Sequence, residues 1–175
     1  MSRPGLQDRA NIARGWLGAA ASVLVLAGHV DAASPLLDVD GMTFVSSRGN
    51  LNELVLQATH ARFDTRDERV YLDEVRAKVA PSLKAGSFEI ECLEGELDLE
   101  TSDFEARGDV RGWTEGGREF VTDWVKYDHE AGLLFTNSPV LISEDAIQYR
   151  GGGFQYFVRD RRFRLLGGAS VVQVP

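Results

Sequence analysis

The chain has 175 residues, 43% of them hydrophobic and 26% charged, with a formal net charge of −8. That length suits one ordinary domain with a short appendage, and the acidic balance argues against a nucleic-acid partner, which would want a basic face. The single cysteine, Cys92, permits neither an internal disulfide nor a cysteine metal cage and reads as a buried, inert thiol.

In chain order, the first 35 residues differ in kind from the rest. Arg3, Arg9 and Arg14 form a positive flank, offset by Asp8, and Trp16 to Val30 follows without a formal charge. As a helix this run would span roughly 22 Å, short of the roughly 30 Å hydrocarbon core. Val30-Asp31-Ala32 suits signal-peptidase cleavage after Ala32. Two readings fit, a cleaved secretory signal and a retained membrane anchor, because snorkelling arginines and bilayer thinning rescue a short span. Both place residues 36–175 outside the cytoplasm. No cysteine follows the run closely enough for a lipid-modified anchor.

After Pro35 the pattern is that of strands. Apolar residues alternate at Leu54, Leu56 and Ala58, at Phe88, Ile90 and Cys92, and at Phe163 and Leu165. A degenerate repeat of about 30 residues underlies them. With Phe63, Leu97, Tyr127 and Tyr156 as corresponding points, Ala58, Cys92, Thr122 and Gly151 stand five positions upstream. Ala61, Gly95, Val125 and Phe154 stand two upstream, and Asp64, Asp98 and Asp128 follow directly in three units. Val70, Phe104, Leu134 and Phe163 come seven downstream; Leu72, Ala106, Thr136 and Leu165 come nine downstream. Each unit then breaks, at Asp73-Glu74, Arg107-Gly108-Asp109, Asn137-Ser138-Pro139 and Gly167-Gly168, before an apolar strand resumes.

Ala58 and Ala61 are three apart, so both face the core only if the strand turns a corner between them. The same holds for Cys92 with Gly95 and for Thr122 with Val125. Repeated corners bend a sheet round on itself, so a curved, two-layered or barrel-like sheet is expected rather than a flat one.

Leu54 to Asp64 (LVLQATHARFD), Arg107 to Trp113 (RGDVRGW), Phe120 to Asp128 (FVTDWVKYD), Phe135 to Ile142 (FTNSPVLI) and Gly151 to Tyr156 (GGGFQY) stand in an order and spacing that resembles the LptC family of lipopolysaccharide export proteins. The related LptA-like family shares the repeat. The opening Met42 to Ser47 looks more like LptC, whereas a cleaved leader would look more like LptA. The resemblance implies an all-β, twisted open β-jellyroll in the periplasm, associated with the inner membrane. It further implies a hydrophobic groove that takes lipopolysaccharide from the inner-membrane ABC transporter and passes it to an LptA-like periplasmic bridge protein. Direction would come from the transporter's ATP, since a groove supplies only affinity. The expected groove lining is Leu56, Phe63, Val70, Leu97, Phe104, Tyr127, Leu134, Phe163 and Leu165, with a closed core as the alternative for each. A plain structural or adhesive β-domain is the rival to transport.

No enzyme and no cofactor are expected. Only His60 and His129 lie in the domain, and there is no paired-histidine metal motif, nucleophile elbow or phosphate-cradling loop. Gly151-Gly152-Gly153 lacks the strand-to-helix context of such a loop and reads as a turn or a close backbone approach. Acidic pairs such as Asp73-Glu74 and Glu94-Glu96 are expected by chance in so acidic a chain. Arg159, Arg161, Arg162 and Arg164 cluster where the last hairpin should turn, as a solvated turn or as a contact for lipid phosphate or an acidic partner. The last strand, Ala169, Ser170, Val171, Val172, Gln173 and Val174, carries no charge and no lysine guard. It reads as a sheet edge for strand addition by the bridge protein, with Met42 to Ser46 as the opposite edge toward the transporter.

Overall fold

The computed structural model describes residues 36–48, 51–64, 66–80 and 86–173; the leader and Val174 lie outside them. The described residues form one antiparallel sheet of ten strands. They are β1 (Leu36–Arg48), β2 (Leu51–Asp64), β3 (Arg69–Val79), β4 (Phe88–Asp98), β5 (Phe104–Thr114), β6 (Glu119–Asp128), β7 (Leu133–Thr136), β8 (Val140–Glu144), β9 (Ile147–Phe157) and β10 (Arg162–Gln173). Each strand pairs with its sequence neighbour, except that β7 and β8 lie end to end between β6 and β9. β1 and β10 are the two edges.

The repeat is a β-hairpin. Phe63 pairs with Val70, Leu97 with Phe104, Tyr127 with Leu134 and Tyr156 with Phe163, so the offset of seven is the cross-strand pair beside each turn. The aspartate after the first member closes the turn. Asp64 Oδ1 accepts the Arg66 N–H (2.9 Å), Asp98 Oδ1 those of Glu100 and Thr101 (3.0 and 2.9 Å), and Asp128 Oδ1 that of Ala131 (2.8 Å). At Asp98 the Thr101 N–H above all favours the charged carboxylate and holds its pKa below the usual value. A residue with positive φ completes each turn at the same place: Glu68 (52°), Ser102 (61°), Gly132 (64°) and Arg161 (53°).

The corners are present, and they run in one line across the sheet. Ala58 and Ala61 are both buried, as are Cys92 with Gly95 and Thr122 with Val125. The two residues between each pair point away from the core. The segments expected to break the chain instead lie on the same line, inside continuous strands. β3 turns at Glu74 (φ 50°), β5 at Gly108 and Asp109 (73° and 46°), and β10 at Gly167 and Gly168 (72° and 83°). Only Asn137-Ser138-Pro139 separates two strands, β7 and β8. The glycine triplet lies on this line as a close approach. A Cβ on Gly153 would come 2.4 Å from the Thr136 carbonyl oxygen, and one on Gly152 3.3 Å from the Gly167 Cα.

The corner line folds the sheet onto itself. Leu97, Phe104 and Tyr127 share one cross-strand row. Phe88 stands nine residues along β4 from Leu97, about 30 Å away in a flat strand. Yet the Phe88 and Tyr127 rings are 5.3 Å apart at 71°, and Phe120 meets Phe154 at 5.0 Å. The inward residues of both halves thus form one apolar core, from Leu54 and Val79 to Tyr156 and Val158.

Candidate functional site

The residues expected to line a groove divide in two. Leu56, Val70, Leu97, Phe104, Tyr127 and Leu134 have no exposed surface and belong to the packed interior. The halves of the folded sheet are in contact over them, so they line no open channel. Phe63, Phe163 and Leu165 are partly buried and pack against that core. The interior reaches the surface at β10. There a cleft of about 650 Å³ is floored by Ile142, Tyr149, Phe163 and Leu165, with Arg118, Arg161 and Arg162 among its rim residues. Phe163 stacks on Tyr156 at 4.7 Å and leans on Phe154 at 5.2 Å, so the floor continues the core. Ile142, Tyr149 and Arg118 were not singled out by the repeat. Ile142 and Tyr149 occupy the far half of their hairpins, beyond the offsets at which the units correspond.

The arginine cluster is split by the turn it sits on. Arg161 and Arg162 line the cleft. Arg161 approaches Glu115 at 3.5 Å, and the Arg162 guanidinium lies 4.5 Å from the Phe157 ring centroid. Arg159 donates to the Glu130 carbonyl (2.8 Å), and Arg164 alternates with Phe163 and Leu165 to face outward.

Other chemistry-bearing groups are dispersed. Asp73, Glu74 and Glu94 are exposed at the corner line, and Glu96 pairs with Arg69. His129 Nε2 lies 3.4 Å from the buried Glu53 carboxylate. Nearby, the Tyr127 hydroxyl and His129 Nδ1 are buried without a hydrogen-bond partner among the described residues. Burial pushes the Tyr127 hydroxyl up to about 12. Burial likewise raises the Cys92 thiol to about 11, which keeps it protonated and unreactive. A second cleft, about 610 Å³ at the corner line, is lined by paired charges such as Arg76 and Glu91. Among the described residues no acidic, histidine or cysteine group is arranged to hold a metal, and no helix is long and apolar enough to cross a membrane.

Both expected edges are edges. On β10, Ala169 to Gln173 are exposed, with Val171 and Val172 more than half so. The strand is longer than the segment read from sequence, because it begins at Arg162. On β1, Met42 and Phe44 pack against the core while Leu37 and Val45 are exposed. β1 is also held by charge. His60 Nδ1 of β2 donates to Asp40 Oδ1 (3.1 Å), and its Nε2 lies 3.5 Å from Asp38. The hydrogen bond to Asp40, then the charges of Asp40, Asp38 and Asp73, raise the His60 pKa.

A folded-state pKa above the unfolded value stabilises the paired β1 most below the unfolded pKa. That contribution is lost as pH rises through the folded pKa. Amide exchange along β1, corrected for intrinsic rates, is therefore expected to show more protection at pH 5.5 than at pH 8.5. His60→Asn should abolish the difference. Equal pH dependence in the variant would assign the effect elsewhere.

No protein-family model matches the chain, and no curated protein matches it significantly.

Proposed function

We propose that this protein is a lipopolysaccharide-binding component of the export machinery of the LptC type, its folded sheet a twisted β-jellyroll open along the β10 edge. The observation that carries the reading is the β10 cleft, where the apolar core runs out to solvent beneath an arginine rim. An acyl chain laid there would gain on the order of 0.8 kcal/mol per methylene buried, while a sugar head stays in water. A volume of about 650 Å³ falls within the range of roughly 300–1,000 Å³ usual for ligand sites. Support also comes from the motif order from Leu54 to Tyr156 and from the two unpaired edges, which suit strand addition by a transporter component at β1 and a bridge protein at β10. In this reading the leader delivers the domain to the periplasm, and catalysis has no part in it.

A photo-crosslinking residue at Leu165 is expected to capture lipopolysaccharide in exporting cells, and one at the adjacent, outward-facing Arg164 is not. Equal capture from both positions, or none from either during active export, would remove the cleft as the binding site.

A further inference from the structure

The cleft combines two chemistries that a single residue brings together. Its rim gathers three guanidinium groups, those of Arg118, Arg161 and Arg162, beside the carboxylates of Glu144 and Asp160, with Glu115 3.5 Å from Arg161. Arg118 belongs to the turn between β5 and β6, where its backbone is fixed at both ends. The Thr114 N–H donates to the Arg118 carbonyl (2.9 Å), and the Arg118 N–H donates to Thr114 Oγ1 (3.3 Å). From there the guanidinium reaches Glu144 at the end of β8 (2.9 Å), and its Cζ lies 5.7 Å from the Phe163 ring centroid. Arg118 therefore covers part of the apolar floor and is tethered by a carboxylate at the rim.

Both members of that pair remain about a third exposed, 35% and 29%. An ion pair so placed is weak and easily exchanged. A phosphate is a stronger partner for a guanidinium, because its oxygens accept both arms of the fork and carry more charge. Glu144, once released, is exposed enough to be hydrated.

The geometry points to a latch: we propose that the cleft takes an acyl chain of a phosphorylated amphiphile, with Arg118 exchanging Glu144 for the lipid phosphate and uncovering Phe163 as it moves. This rests on the lipid-binding reading above and deepens it by naming the headgroup chemistry and the residue that senses it. Free phosphate would engage the rim and leave the floor empty. A neutral amphiphile would occupy the floor and leave Arg118 on Glu144. Only a phosphate carried on an acyl chain uses both.

The test is titration of the purified full-length chain with dodecyl phosphate, dodecyl maltoside and inorganic phosphate, each amphiphile below its micelle concentration. Dodecyl phosphate is expected to bind about tenfold tighter than dodecyl maltoside, the size of one charge-assisted hydrogen bond, and inorganic phosphate far more weakly than either. Arg118→Gln should bring dodecyl phosphate down to the dodecyl maltoside affinity, with Arg118→Lys between. Glu144→Gln should tighten dodecyl phosphate binding several-fold, since the competing tether is gone, and should lose that effect when Arg118 is also changed to Gln; a merely basic rim would tighten equally in both backgrounds. Weakened or unchanged binding in Glu144→Gln, or inorganic phosphate binding as tightly as dodecyl phosphate, overturns the latch. So does an Arg118→Gln protein that melts like the parent and binds as the parent does. Should Leu165 crosslink lipopolysaccharide while these affinities ignore Arg118 and Glu144, the latch falls and the transport reading stands. If no amphiphile binds and no crosslink forms, both fall.

Discussion

Phe104→Glu is expected to abolish the cooperative folding of the domain. Phe104 has no exposed surface, pairs with Leu97 on one side and Tyr127 on the other, and lies against Gly95, where a Cβ would come 2.9 Å from its Cε2. The glycine is there because the ring occupies the space a side chain would need. Removing a buried aromatic ring costs about 3–5 kcal/mol, and an unpaired buried carboxylate adds several kcal/mol more. Together these approach or exceed the roughly 5–15 kcal/mol that holds a domain folded. Far-UV dichroism should lose its β signal and the thermal transition should vanish. Phe104→Leu, which keeps the site apolar, should retain the fold at a cost of about 1–3 kcal/mol. A Phe104→Glu protein that melts where the parent does would place this residue outside the core.

Deleting Ser170 to Pro175 is expected to abolish capture of the LptA-like bridge protein proposed above while the domain stays folded. Ser170 to Gln173 pair with Arg150 to Ile147 of β9, but their side chains are exposed and add little to the core. The same stretch of β9 pairs with β8 on its other side, so truncation moves the sheet edge inward by one strand rather than opening the core. What disappears is a row of outward backbone groups without lysine or bulge to guard it beyond the corner at Gly167-Gly168. Val171→Pro and Val172→Pro provide a finer test. Adjacent residues point their N–H groups to opposite sides, so one of the two removes an outward donor and blocks strand addition. Pull-down of that protein with unchanged affinity by the folded truncated chain would place docking elsewhere, while the association with a transporter component proposed for β1 should survive the truncation.

Much of this fold was legible in particular residues. The slip from period two to period three between Ala58 and Ala61, and again at Cys92–Gly95 and Thr122–Val125, required a corner, and corners stand there. Asp64, Asp98 and Asp128 recurred because a carboxylate one residue past the pair is placed to accept the turn's amides. Glu68, Ser102, Gly132 and Arg161 share a backbone conformation but no side-chain chemistry, so nothing in their identities announced it. Asp73-Glu74 and Gly167-Gly168 were read as ends of strands, because residues that disfavour strands and residues that bend them are the same types.

Local alternation and backbone preference sufficed to read which face of each strand is apolar, where β2, β4 and β6 bend, and that the last valine-rich segment is unguarded. Which apolar residues stay open to solvent follows from how the sheet closes on itself. Leu134 and Phe163 stand at the same offset of the repeat, yet one is enclosed and the other borders the cleft, because enclosure depends on what the opposite half of the sheet sets against them. The rim is a product of the same folding. Arg118, Glu144 and Phe163 come from three different hairpins, and no spacing along the chain foretells that an arginine at one turn will span a carboxylate and a ring brought to it by the fold.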